Sequence, residues 1–343
     1  MLQARSGLKC GHRRQLDAEC RLRNGAAFRD KLLTELQEYE PSLTSTMSRI
    51  AWIGLGSIGE AMCQNLARYG PMQEPVIVWN RTISKAERLA ETSDKLVAAR
   101  SLADAVAAAD IVCICLIDDA AVDSTIDMAK AQTSVSGKVF VDMSTVHPDT
   151  NQAQSEKLAK VDAAYLACPI FGGVAMAIER QTTMVLAGSS EAITKFEPFT
   201  AGVQLADQPL QHASLLKLVG NYFRFASIEV LCETSVLSEK IGLPKETLAQ
   251  FVKTVLPGPT VGQLALLHSG AYSDLTTNLP PISMAVKENK YLNELALTNG
   301  VKLRTLDTVT AHTKRVNEVK GPDAKLLSIH GSIREENGLP FDV

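Results

Sequence analysis

Arg49-Ile-Ala-Trp-Ile-Gly-Leu-Gly-Ser-Ile-Gly-Glu-Ala-Met-Cys-Gln-Asn-Leu66 sets an apolar, strand-like run against an amphipathic helical pattern, with Gly54, Gly56 and Gly59 between them. Each glycine has its own task in such a turn. Gly54 makes the tight exit from the strand, Gly56 lets backbone approach a pyrophosphate, and Gly59 lets the helix pack on the sheet. The helix N-terminus adds unpaired N–H groups and a positive dipole end. Gly54, Leu55, Gly56, Ser57, Ile58 and Gly59 are therefore the candidate dinucleotide-binding loop.

Outward from this turn, strand-like and helix-like patterns alternate. Strands are expected at Ile50–Ile53, Pro75–Trp79, Leu96–Ala98, Ile111–Leu116, Lys138–Asp142, Ala163–Ala167 and Thr183–Ala187, with helical patterns between them. Such alternation implies a doubly wound parallel sheet with helices on both faces. From His212 to Lys240 there is no proline and one glycine, and apolar residues recur at helical spacing. Further helical patterns at 244–256, 280–297, 301–317 and 322–335 make the rest all-α. The expected organisation is α/β: a Rossmann domain over 47–210, then an all-α substrate and dimerisation domain over 211–343. Residues 1–46, basic at first and then acidic, read as a poorly ordered extension.

Composition narrows the class. In 343 residues, 45% are hydrophobic and 21% charged, which suits a globular protein with a sizeable core. A formal net charge of −3 leaves no footprint for nucleic acid or an anionic membrane surface. No apolar run approaches the ~20 residues of a membrane-spanning helix. Seven cysteines without a C-x-x-C pair read as a reducing compartment, cytoplasmic or the mitochondrial matrix. Cys113 and Cys115 share one face of a strand but have no partner ligands near them, so no metal site is expected.

The end of the second strand bears on the dinucleotide's identity. NAD-binding folds commonly place an acid there for the ribose hydroxyls. Here Asn80, Arg81 and Thr82 stand in its place. Arg81 offers a planar, forked donor set to a phosphate, and Asn80 and Thr82 add neutral donors. NADP is the expected cofactor.

At this point the chain resembles the β-hydroxyacid dehydrogenase family, which includes 3-hydroxyisobutyrate dehydrogenase, semialdehyde reductases and, more distantly, 6-phosphogluconate dehydrogenase. The resemblance runs from about Met47 to Phe341. Gly54–Gly59 is similar to the family's glycine turn, and Asp142-Met-Ser-Thr-Val-His-Pro148 to its D-x-S-T-x-x-P segment. Pro169-Ile-Phe-Gly-Gly173 falls at P-V-S-G-G. Lys217 and Asn221 match K-x-x-N-N, and Met284-Ala-Val-Lys-Glu288 matches L-x-x-K-D.

The resemblance implies roles. Lys217 would be the catalytic acid/base and Asn221, four residues on and on the same helix face, would orient the substrate. A lysine in that role needs a partly apolar site to lower its pKa, for which Leu218, Tyr222 and Phe223 are candidates. Ser144 and Thr145 are either ligands of a substrate carboxylate and the nicotinamide ribose or turn residues before Pro148. Gly172 and Gly173 would present backbone N–H groups to the carboxylate. Cys115 and Leu116 would flank the ribose, and Lys287 would close over the cofactor. His147 and His212 read as turn and helix-start residues.

Three departures stand out. Phe171 replaces the carboxylate-binding serine, Gln211-His-Ala213 replaces a G-x-G, and Gly220 replaces the first asparagine of the N-N pair. A bulkier or less charged carbonyl compound would suit Phe171 better than the family's small hydroxyacids. The expected activity is NADP(H)-dependent interconversion of a hydroxyacid-like alcohol with its aldehyde or ketone. An imine reductase-like enzyme and a non-catalytic NADP-binding scaffold are the alternatives. The expected partners are a small-molecule substrate and a second copy of the chain, as a homodimer or homotetramer.

Overall fold

Strand β1 (Ile50–Ile53) is buried along its whole length, because its alternate residues feed two separate cores. Ile50 and Trp52 join one apolar cluster, and Ala51 and Ile53 join the cluster on the opposite face. A strand covered on both faces belongs inside a parallel α/β sheet. The computed structural model describes residues 48–200 and 202–343. The extension expected over residues 1–46 lies outside the described residues. Ser48–Val343 packs as one compact unit.

The chain proceeds from β1 through α1 (Ser57–Tyr69), β2 (Val76–Trp79), α2 (Ile83–Ala90), β3 (Leu96–Ala98), α3 (Leu102–Ala107) and β4 (Ile111–Ile114). It continues through α4 (Asp119–Gln132), β5 (Val139–Asp142), α5 (Pro148–Ala159) and β6 (Ala164–Ala167). The strands lie in the order β3-β2-β1-β4-β5-β6, all parallel. The order reverses between β1 and β4, where open α/β sheets bind their ligands. Local chemistry starts the helices. Asp118 Oδ1 accepts from Ala121 N–H at the head of α4. Pro148 opens α5, where its missing N–H costs nothing.

Beyond β6 the sheet departs from the expected pattern. The link to the next long strand holds only β7 (Ile170–Phe171) and the five-residue α6 (Val174–Ile178). That is too little for a crossover. Strand β8 (Thr183–Gly188) therefore runs antiparallel to β6 and β7. Helix α7 (Ser190–Phe196) then returns the chain to β9 (Gly202–Ala206), parallel to β8. Neither β7 nor β9 is evident in the sequence pattern.

Helix α8 (Gln211–Lys240) is 30 residues long, about 45 Å at 1.5 Å per residue. Ala213 belongs to a core under the sheet, whereas Phe225, Ile228, Cys232 and Val236 belong to a helical core. Around that second core pack α9 (Lys245–Val255), α10 (Pro259–Ser269), α11 (Ile282–Thr298), α12 (Arg304–Lys320) and α13 (Ile329–Glu336). Helix α10 is missing from the sequence expectation, and the pattern over 322–335 resolves into a 3-10 turn at Leu326–Ser328 followed by α13. Each fully buried isoleucine or valine in these cores contributes about 1.5–3 kcal/mol. Among the described residues, no helix is long and apolar enough to cross a membrane.

Candidate active site

The glycine turn is shaped by its own sterics. Gly54 has φ +99°, and a Cβ there would meet the Cys115 carbonyl oxygen at 2.3 Å. A Cβ on Gly59 would come within 2.5 Å of the Gly54 oxygen. At Gly56, by contrast, a Cβ would meet nothing within 4 Å. Two glycines thus close the turn against β4, and the middle one faces open space at the start of α1. No side chain caps that helix start, so its first N–H groups stay available. Open space over uncapped N–H groups fits the pyrophosphate of a dinucleotide. Gly56 and Ser57 are exposed there, Ile58 is half-buried, and Leu55 points into the core.

Asn80 is engaged with the turn itself. Its Oδ1 accepts from Leu55 N–H at 3.0 Å, and its Nδ2 donates to the Thr82 carbonyl at 3.1 Å. The side chain expected to add a donor for a phosphate braces the glycine loop instead. Arg81 and Thr82 are exposed beyond it.

Along the carboxyl edge, Leu116 N–H donates to Ser144 Oγ at 2.9 Å. Ser144 is buried, and its backbone N–H donates to Asp142 Oδ1. Burial pushes the Asp142 carboxyl above its usual range, opposed by hydrogen bonds from Ser144 and Tyr165. From there a polar chain runs inward. Tyr165 donates to Asp142, Asn151 to Tyr165, and Ser214 of α8 to Asn151. Ser144 thus joins a buried network that ends one helical turn before Lys217.

Lys217 is 6% exposed, although lysines are seldom buried unpaired. Its Nζ donates to the Ile170 carbonyl at 2.7 Å and lies 4.6 Å from the centroid of the Phe171 ring. Burial lowers its pKa to about 8; Arg224 and Lys287 add to the lowering, and Glu288 opposes it. The aromatic beside the ammonium is Phe171. Of the residues expected to supply that surface, Leu218 is buried, Tyr222 packs with Leu292 and Leu306, and Phe223 is 76% exposed.

Two of the sequence departures meet here. A Cβ at Gly220 would come within 2.8 Å of Phe171 Cε1, so the ring occupies the space of a side chain at 220. Gly172 has φ +135°, and Gly173 faces open space. Asn221 Nδ2 donates to Glu288 Oε2 at 2.5 Å. Glu288 is fully buried, and its Oε1 has no partner among the described residues. Lys287 donates to the carbonyls of Ile117 and Thr145, at 2.9 and 2.7 Å, and so ties α11 to the loops after β4 and β5. Burial lowers its pKa.

These contacts link most of the candidates in one series. Gly54 and Gly59 abut Cys115; Leu116 meets Ser144; Thr145 meets Lys287; Glu288 next to it meets Asn221, one turn from Lys217. Arg81 and Thr82 stand outside this series. Glu288 and Arg224 were not singled out from the sequence, though Arg224 lies seven residues from Lys217, on the same helix face. His147 caps α5, its Nδ1 accepting from Asp149 N–H, and stacks edge-on against Tyr291.

Residues 49–203 match the NAD binding domain of 6-phosphogluconate dehydrogenase. The NADH-dependent oxidoreductase ucdB of Aspergillus ustus is 32% identical over 286 residues, covering 83% of this chain and 98% of that protein. The chain belongs to the β-hydroxyacid dehydrogenase family. As a member of that family it is an NAD(P)-dependent oxidoreductase. Glyoxylate/succinic semialdehyde reductase 2 of Arabidopsis thaliana is 28% identical, over 65% of this chain and 63% of that protein. In fold, this β-hydroxyacid dehydrogenase is similar to the 3-hydroxyisobutyrate dehydrogenase of Mycobacterium tuberculosis. The TM-score is 0.71 at 18% identity, over 84% of this chain and 100% of that one.

Proposed function

We propose that this β-hydroxyacid dehydrogenase uses NADP(H) to interconvert a hydroxyacid-like alcohol and its aldehyde or ketone, with Lys217 as the acid/base. The observation that carries this reading is the buried Lys217 ammonium. One of its three donors is held by Ile170, and its pKa sits at about 8. Near neutral pH such a group can both give and take a proton. Lys217 donates to the carbonyl oxygen in reduction and accepts from the hydroxyl in oxidation. Asn221, anchored through Nδ2 on Glu288, turns its Oδ1 to the substrate hydroxyl. The bound nicotinamide supplies or accepts the hydride.

The glycine turn and the uncapped start of α1 would hold the pyrophosphate, and Arg81 with Thr82 the 2′-phosphate. Cys115, Leu116 and Thr145 would line the nicotinamide ribose, with Lys287 holding the two loops together. Ser144, Phe171, Gly172 and Gly173 would border the substrate. An NADH-linked enzyme is the second reading, favoured by the name of the Aspergillus ustus relative. We assign cofactor binding to 47–210, and substrate binding and self-association to 211–343. Support for a homodimer comes from Val219, Phe223, Val230 and Leu237, each at least 55% exposed along α8.

The test is consumption of NADPH and NADH with short semialdehydes, 2-oxoacids and cyclic imines. Aldehyde or ketone turnover is the predicted result. Turnover confined to imines, or tight cofactor binding with no turnover, contradicts it.

A further inference from the structure

Arg224 is the one guanidinium whose charge reaches both Lys217 and Glu288. It lies seven residues along α8 from Lys217 and three from Asn221, so the three side chains leave one face of the helix. The next residue in that stripe, Ile228, closes it into the helical core. Arg224 is half-buried, yet it makes no hydrogen bond or ion pair with any described residue, and none of its nitrogens is sealed from solvent. The nearest carboxylate cannot satisfy it, because Glu288 Oε2 is taken by Asn221. Three cations, Lys217, Arg224 and Lys287, therefore surround one carboxylate. A half-buried, unpaired guanidinium is costly unless an anion completes it, and its planar fork suits a carboxylate.

The surroundings of Lys217 point the same way. The group against its ammonium is the Phe171 ring, which offers no donor. A carboxylate attached directly to a carbonyl at Lys217 would lie against that ring. Arg224 begins two helical turns further on, about 10 Å along the axis.

We propose that Arg224 receives the carboxylate of the substrate at a subsite remote from the reacting carbonyl. On the reductase reading above, which this inference assumes, the substrate is then an ω-oxoacid and not a 2-oxoacid. Roughly three or more carbons separate its carbonyl from its acid group, and its apolar middle runs past Phe171.

The test compares 5-oxopentanoate with its methyl ester in wild type, Arg224→Met and Arg224→Lys. Because Arg224 has no partner to orphan, the methionine variant should fold; its thermal midpoint checks this. The predicted result is a loss in kcat/KM for the acid of roughly 10- to 100-fold in Arg224→Met, carried by KM. The ester should be nearly unaffected, and Arg224→Lys should recover part of the loss. Equal losses on acid and ester, or no loss on either, overturn the proposal while leaving ester turnover as support for the reductase reading. If wild type reduces neither compound, calorimetric titration of glutarate with NADP+ present decides Arg224 separately. Weaker binding to Arg224→Met by about 10-fold or more supports the subsite; equal binding to both proteins overturns it.

Discussion

The Phe171 ring lies where a side chain at position 220 would begin, with its Cε1 2.8 Å from a Cβ built on Gly220. The two departures from the family pattern are therefore one packing arrangement, and they should be coupled. Gly220→Asn alone must displace the ring that lies against the Lys217 ammonium, lowering kcat/KM. Phe171→Ser alone opens a gap beside the same ammonium. The double variant should be less impaired than the sum of the two, by about 1 kcal/mol or more. A double-mutant cycle on kcat/KM measures this, and additive losses would show that position 220 does not depend on the ring.

Asn80 and Arg81 should fail in different ways. Asn80 Oδ1 holds the Leu55 N–H, so Asn80→Ala should loosen the turn and weaken NADPH and NADH alike, by several-fold. Arg81 is exposed and outside the turn, so Arg81→Ala should weaken NADPH by roughly 10- to 100-fold and NADH little. Fluorescence titration with both cofactors separates the two patterns. Equal losses in Arg81→Ala would move the cofactor assignment towards NADH.

Local patterns made most of the fold legible. The glycine turn between strand and helix, and the unbroken apolar periodicity of α8, were readable because both are encoded in adjacent residues. The reversal at β8 was not, because strand direction depends on how little chain links it to β6. Short β7 and β9 lack the length to show a pattern. At the site, Lys217 and Asn221 were legible by spacing and resemblance. Glu288 was hidden because its partner Asn221 is 67 residues away. Asn80 illustrates the converse: its residue type suggested a ligand donor, and its geometry makes it a brace.

The direction of the reaction should set the sign of its pH dependence. Lys217 must be protonated to act as an acid and neutral to act as a base, with a pKa of about 8. Reduction should therefore fall as pH rises through about 8, and oxidation should rise through the same range. Initial-rate profiles in both directions, between pH 6 and 10, test this.

His312 of α12 should matter for stability away from the site. Its Nδ1 lies 2.5 Å from buried Glu229 and its Nε2 2.9 Å from Glu336. Burial opposes its charging, but the hydrogen bonds and charges of these two carboxylates raise its pKa from 6.5 to about 9. A raised folded-state pKa stabilises fully below 6.5, and that stability is lost as pH rises through about 9. His312→Leu leaves Glu229 uncompensated and should cost about 3 kcal/mol near pH 6. Denaturant unfolding should show the wild-type advantage shrinking above pH 9.

The central claim is that the buried Lys217 ammonium moves the proton. Lys217→Ala should be assayed with the best carbonyl substrate from the screen, beside a titration of NADPH binding. The account predicts a fall in kcat/KM of roughly 10²- to 10⁴-fold, loss of the pH step near 8, and unchanged cofactor affinity. Turnover within a factor of about ten of wild type, with the pH step retained, would contradict it.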